Sequence, residues 1–164
     1  METKPYPTSR VIENTSKLIR RFRDEKLPVF LVRVGFLWGD TLQPVCDIPA
    51  FRASTPEWWS DFVEALDVQP SDIIITKRQW GAFYGTELDL QLRRRKIDTI
   101  VLCGIATSIG VESTARNAYE LWYNQIFAED GMSSRTDEEH HSTITHVFPR
   151  IWMVKTTEEI LASF

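Results

Sequence analysis

Five short apolar runs punctuate the chain, at residues 29–34, 73–76, 99–104, 125–129 and 151–154. They are rich in Val and Ile and run continuously instead of alternating with polar residues, the pattern of parallel strands covered on both faces. The segments between them carry helical signals. Val11, Ile12, Leu18, Ile19 and Phe22 fall near one face of a helix predicted over residues 10–26. Thr55-Pro56 starts a shorter one, with a cap residue ahead of a proline at the first helical position. Thr86 with Asp89 resembles a capping box for a helix that runs to about Lys96. Ser108 precedes a helix through Val111, Ala115, Ala118 and Leu121, Thr136 with Glu139 starts another, and Thr156 with Glu159 starts the last. Strands alternating with helices predict an α/β fold, a three-layer α/β/α sandwich around a mainly parallel sheet.

The chain opens on what reads as a crossover helix, with no apolar strand ahead of it. Either that helix packs at the sheet edge without a leading strand, or the sequence lacks its natural start and Met1 is an internal methionine.

Length and composition narrow the class. The 164 residues fit one domain, 1–164, and 43% apolar with 26% charged residues is a globular balance. No apolar run approaches the roughly 20 residues of a membrane span, and the first residues carry no hydrophobic signal region. A soluble, cytoplasmic protein without membrane contact is expected. The formal net charge of −4 argues against a nucleic-acid partner. The one basic run, Arg93-Arg94-Arg95-Lys96, sits at a predicted helix end, where cations suit the dipole. Cys46 and Cys103 form no CxxC motif and fit a reducing compartment, with Cys103 expected as a buried thiol. His140, His141 and His146 lack a ligand-set spacing and read as surface or packing residues. Trp58-Trp59 reads as a packing face. Neither a metal nor a cofactor is expected.

In an open parallel sheet, ligands bind beyond the carboxyl ends of the strands. Lys77 stands at such an end, after three isoleucines and Thr76. Partial desolvation there lowers its pKa and makes it a usable electrostatic or acid–base group; the alternative is an ordinary exposed lysine. The segment from Gly104 to Gly110 joins a strand to a helix N-terminus, where free N–H groups favour an oxyanion. The alternative there is a tight turn with close packing. Gly35-Phe36-Leu37-Trp38, the stretch from Arg78 through Trp80 to Thr86, and Asp130 to Ser133 complete the rim.

Two segments carry a resemblance. Ile75-Thr76-Lys77-Arg78-Gln79-Trp80-Gly81-Ala82-Phe83-Tyr84-Gly85-Thr86 resembles the lysine-containing stretch of the isochorismatase-like hydrolases, the cysteine hydrolase superfamily. The longer Val101 to Ala118 segment resembles the signature around that family's nucleophile. The resemblance runs from about Pro28 to the end and implies a Rossmann-like sheet of order 3-2-1-4-5-6. It implies a catalytic Asp on the first strand, a Lys that Lys77 matches, and a non-proline cis peptide at Ile105–Ala106 that helps aim N–H groups at a substrate oxygen. By the same resemblance Phe36, Trp80 and Phe83 form an apolar wall, and the protein is a homo-oligomer acting on a small molecule.

The sequence departs from the family in two places. Gly110 occupies the position of the nucleophilic Cys, so covalent amidase chemistry is expected to be absent. Isochorismatases also carry Gly there and cleave a vinyl ether by protonation and water attack. Their acid is the family Asp, on a first, central strand for which this sequence shows no apolar run; another carboxylate, such as Asp40 or Glu87, is the candidate to stand in for it. The nicotinamidase metal set has no counterpart. The expected function is a non-covalent hydrolase of a small organic substrate. The other possibility is a catalytically inactive binding or assembly protein that retains the pocket.

Overall fold

A computed structural model describes residues 2–35, 45–47 and 56–164. Helix α1 spans Thr8–Asp24 and leads into β1, Phe30–Val34. Lys26, at φ 58°, makes the left-handed turn that stops the helix. Strand β2, Ile73–Lys77, follows two single turns of 3₁₀ helix at Glu57–Ser60 and Glu64–Leu66. The rest runs as α2 (Leu88–Arg94), β3 (Thr99–Ile105), α3 (Glu112–Glu120), β4 (Asn124–Ser133), α4 (Asp137–Ser142), α5 (Phe148–Ile151), β5 (Met153–Lys155) and α6 (Thr157–Leu161). The architecture is α/β with parallel strands throughout, as the alternating pattern predicts.

The strands fall into two sheets. In one, β1 pairs with β2, from Phe30↔Ile73 to Val34↔Lys77. In the other the order is β3-β4-β5. No ladder joins the two among the described residues. They are held side by side by helices on both faces. Leu18 of α1 packs with Val101, Cys103, Ile126 and Ala128 of the second sheet. The next residue, Ile19, packs with Val29, Leu31 and Ile74 of the first. On the opposite face Phe30, Ile73 and Ile100, from both sheets, meet one cluster around Ile75, Phe83, Leu92 and Tyr123.

Polar contacts repeat this division. Arg23 donates from Nε and Nη2 to the two carboxylate oxygens of Asp72, at 3.2 and 2.5 Å, tying α1 to the start of β2. Asn14 donates to the backbone oxygen of Asp130 at 2.9 Å and to its carboxylate at 3.0 Å, tying α1 to β4. Asp130 also accepts from the N–H and hydroxyl of Thr157, both at 2.7 Å, and so anchors α6.

Several boundaries differ from the sequence pattern. The fourth strand does not stop near Glu129 but continues to Ser133. Its register against β3 shifts between Leu102 and Gly104, so Asp130 to Ser133 lie inside the strand and not on a rim loop. Gly104 has φ +127°, a conformation that glycine alone adopts freely, and it sits where the shift occurs. Ile151 closes α5, and β5 begins only at Met153. The helix expected from Thr55-Pro56 is one 3₁₀ turn, with Trp58 and Trp59 exposed on it; Thr55 lies outside the described residues. Thr86 does not close a capping box: its hydroxyl accepts from the N–H of Leu88 and donates to Ala82 O. The Thr156–Glu159 box forms in full, and Thr136 caps α4 through Glu139 N–H.

Asp130→Ala strands three donors inside the protein. It should cost about 3 kcal/mol in urea unfolding, whereas Glu138→Ala on exposed α4 should stay within about 0.5 kcal/mol.

Candidate functional site

Lys77 is the last residue of β2, and its half-buried ammonium points toward the turn that follows β3. Nζ donates to the backbone oxygen of Trp80 at 2.5 Å. A Cβ built on Gly110 would lie 3.0 Å from Nζ and 3.5 Å from Trp80 O. Gly110 therefore occupies the contact between the lysine and the Trp80 loop. Burial holds the Lys77 ammonium below the ordinary lysine range. Among the described residues no carboxylate lies within 4.0 Å of it.

The turn that carries Gly110 is built by the sequence after β3. The Ile105–Ala106 peptide is cis. Thr107–Val111 then form a wide, π-type turn, with the N–H groups of Ile109 and Val111 both donating to Ala106 O at 3.2 Å. Ile105 is exposed and Ala106 half-buried. Thr114, one turn into α3, donates to Gly110 O at 2.7 Å and accepts from Ala82 N–H at 3.0 Å. That single hydroxyl locks the turn onto the 80–86 loop.

A second set of side chains braces the turn from behind. Thr107, fully buried, shares a 2.9 Å hydrogen bond with His140 Nδ1. Ser108 N–H donates to Ser134 Oγ at 3.1 Å. His140 Nε2 lies 4.0 Å from Glu129 Oε2, which accepts from the Tyr6 hydroxyl at 2.9 Å. The Tyr6 ring stands edge-on to His140. Burial is the main cause of all three shifts in this set: it lowers His140, raises Glu129 and pushes Tyr6 up to about 12. Neutral His140 is thus the form that fits here, as a packing residue.

The structure brings Lys77, Trp80, Ile105, Ala106 and Gly110 to one end of the two sheets. Trp80 is 67% exposed there. Phe83 instead turns into the core, its ring 5.7 Å from that of Tyr123. Phe36 and Asp40 lie outside the described residues. Glu87 stands exposed just before α2. Sequence reasoning missed Thr114 and the Thr107–His140 pair. The only signal for them was polar residues at helix positions next to the turn. Among the described residues no cluster of His, Cys, Asp and Glu could hold a metal ion, and no helix is long and apolar enough to cross a membrane.

A parallel α/β fold, with a lysine at one strand end facing a strand-to-helix turn at the next, defines a class that sequence comparison makes specific. A sequence profile of the Isochorismatase domain matches residues 1–159, and the chain belongs to the isochorismatase family. It is 52% identical over 159 residues to the isochorismatase family protein YecD of Escherichia coli O157:H7, covering 96% of this chain and 85% of that one. It is 54% identical over 157 residues to YwoC of Bacillus subtilis, another isochorismatase family protein, covering 94% and 83%. An isochorismatase family protein from Burkholderia thailandensis has a similar structure, with TM-score 0.94 and 42% identity over 99% of this chain and 87% of the other.

The Lys77 environment has a consequence for stability. The folded protein binds this proton less tightly than the unfolded chain, so burying the charge costs stability at neutral pH. Lys77→Met should raise the urea midpoint at pH 7. Its advantage over wild type should shrink as pH rises toward 10, because wild-type Lys77 then sheds the proton.

Proposed function

We propose that residues 1–164 act as one hydrolase domain on a small organic substrate, without a covalent enzyme intermediate. The observation that carries this reading is Gly110 against Lys77 Nζ, at the position where the family places a thiol. The two cysteines are no substitute: Cys103, within β3, packs against the cluster of Leu18 and Ala128 with its thiol pushed up by burial, and Cys46 is exposed. Under this proposal the Lys77 ammonium stabilises charge developing on the substrate. The Ile105–Ala106 peptide and the N–H groups of the turn bind an oxygen. Trp80 supplies apolar surface at this end of the sheets. Water adds directly to the substrate and supplies both the hydroxyl and the proton that the two products carry away.

The absence of a carboxylate near Lys77 among the described residues favours a second reading, a pocket that binds small molecules without turning them over. Isochorismate, simpler vinyl ethers and small amides separate the two. Turnover of a vinyl ether that falls about 100-fold in Lys77→Ala, with no mass adduct on the enzyme, supports the hydrolase. Saturable binding without turnover supports the second reading. An enzyme-bound adduct in wild type overturns the non-covalent mechanism.

Gly110→Cys tests the geometry directly. A thiol there would sit beside the Lys77 ammonium and the N–H groups of the turn, both of which favour thiolate. Its alkylation by iodoacetamide should titrate clearly below the ordinary thiol range, and adding Lys77→Met should move the midpoint back up.

A further inference from the structure

We infer that His140 is a positioning residue for the turn over Thr107–Val111: in its neutral form it holds Thr107 from behind, and taking up a proton undoes that hold and loosens the turn. The inference rests on the proposed function only in treating this turn as part of the site.

The partners of the imidazole fix how it works. His140 is only 4% exposed, and each ring nitrogen faces one protein group. Nε2 looks toward Glu129 Oε2 at 4.0 Å, an oxygen that accepts from the Tyr6 hydroxyl at 2.9 Å. An acceptor on that side favours the hydrogen on Nε2. Nδ1 is then bare, so in the 2.9 Å contact the Thr107 hydroxyl donates and Nδ1 accepts. A second proton must enter at Nδ1. Two donors would then face each other, and the fully buried Thr107 hydroxyl has to turn round and give up its acceptor.

The turn is built on Thr107. The N–H groups of Ile109 and Val111 share Ala106 O, and Gly110 lies between them, beside Lys77. Three side chains hydrogen-bond to the turn: His140 at Thr107, Ser134 at Ser108 and Thr114 at Gly110 O. Of these only histidine titrates near neutrality.

The charges around the ring come from several elements. Asp137, Glu138, Glu139 and His141 share its helix. Strand β4 brings Glu129, with Asp130 beside it. The N-terminal segment brings the Tyr6 ring, 5.9 Å away, on which Arg10 of α1 stacks. Glu112 of α3 accepts from Thr143 just past the helix, and Glu159 of α6 acts on Glu129. Burial is the largest influence on His140; with His141 it outweighs Asp137, so the ring charges only below the ordinary histidine range.

The test uses the full chain, isotope-labelled, and needs no substrate, so it decides this inference whatever the fate of the hydrolase reading. The His140 ring and the Gly110 amide are followed by NMR from about pH 8 to about pH 5. Both should move with one shared midpoint. Thr107→Val keeps the branched shape but removes the hydroxyl. In it the Gly110 shift should be lost while the His140 ring still titrates, and exchange at the Ile109 and Val111 amides should speed up about tenfold. Thr107→Ser keeps the hydroxyl and should behave like the wild type. A Gly110 amide that ignores His140, or that follows His141 or His146 instead, overturns the proposal. So does a Gly110 shift that survives in Thr107→Val, or a His140 ring that stays neutral down to acid unfolding. If Thr107→Val does not fold, the wild type and Thr107→Ser decide by the same criterion, a shared midpoint or none.

Discussion

Helix α1 is the constraint on which this structure depends. Among the described residues the backbone ladders hold each sheet together but do not join them. On one face helix α1 lies across both and joins them, and on the other a shared cluster around Ile75 and Leu92 does the same. Leu18 and Ile19 face different sheets, and each contributes roughly 1.5–3 kcal/mol by leaving water. The polar contacts divide in the same way: Arg23 reaches Asp72 on one side and Asn14 reaches Asp130 on the other. Buried polar groups of this kind add direction to apolar packing, because a donor left without its acceptor inside the protein is expensive. The helix thus fixes not only the distance between the sheets but also their relative position along the strand direction.

That relative position is what makes a site. Lys77 belongs to one sheet and Gly110 to the turn after a strand of the other, and their approach requires the two sheets to end level with each other. Locally the approach is secured by Thr114, which touches both the turn and the 80–86 loop. Behind it, Thr107–His140 holds the turn against α4, and Ser108–Ser134 holds it against the end of β4. The N-terminal segment closes this side, with Lys4 bridged antiparallel to Ser134 and Tyr6 reaching Glu129. The supports on this turn are many, which keeps its backbone rigid.

Local sequence was sufficient for element types. Continuous Val and Ile runs place all five strands, and the Thr156–Glu159 box places the last helix, because these signals act within a few residues. The long signature from Val101 to Ala118 and the lysine stretch point to the family because they hold the groups that meet in space. Where the signal depended on a partner, the pattern fell short. Strand β4 runs past Glu129 through Asp130, a residue with no intrinsic preference for a strand. Its carboxylate is satisfied there by Asn14 and Thr157, 116 and 27 residues away in the chain. Phe83 lies in the loop beside Trp80, but only packing decides that it turns to Tyr123 while Trp80 faces water. His140 is one of three histidines with similar local sequence, and only tertiary contact buries it against Thr107. The sequence by itself determined which segments are strands and helices and which residues bear charge. The separation of the two sheets, the Lys77–Gly110 contact and the protonation preferences at the site were decided by the tertiary structure, because each is set by distances and desolvation between residues far apart in the chain.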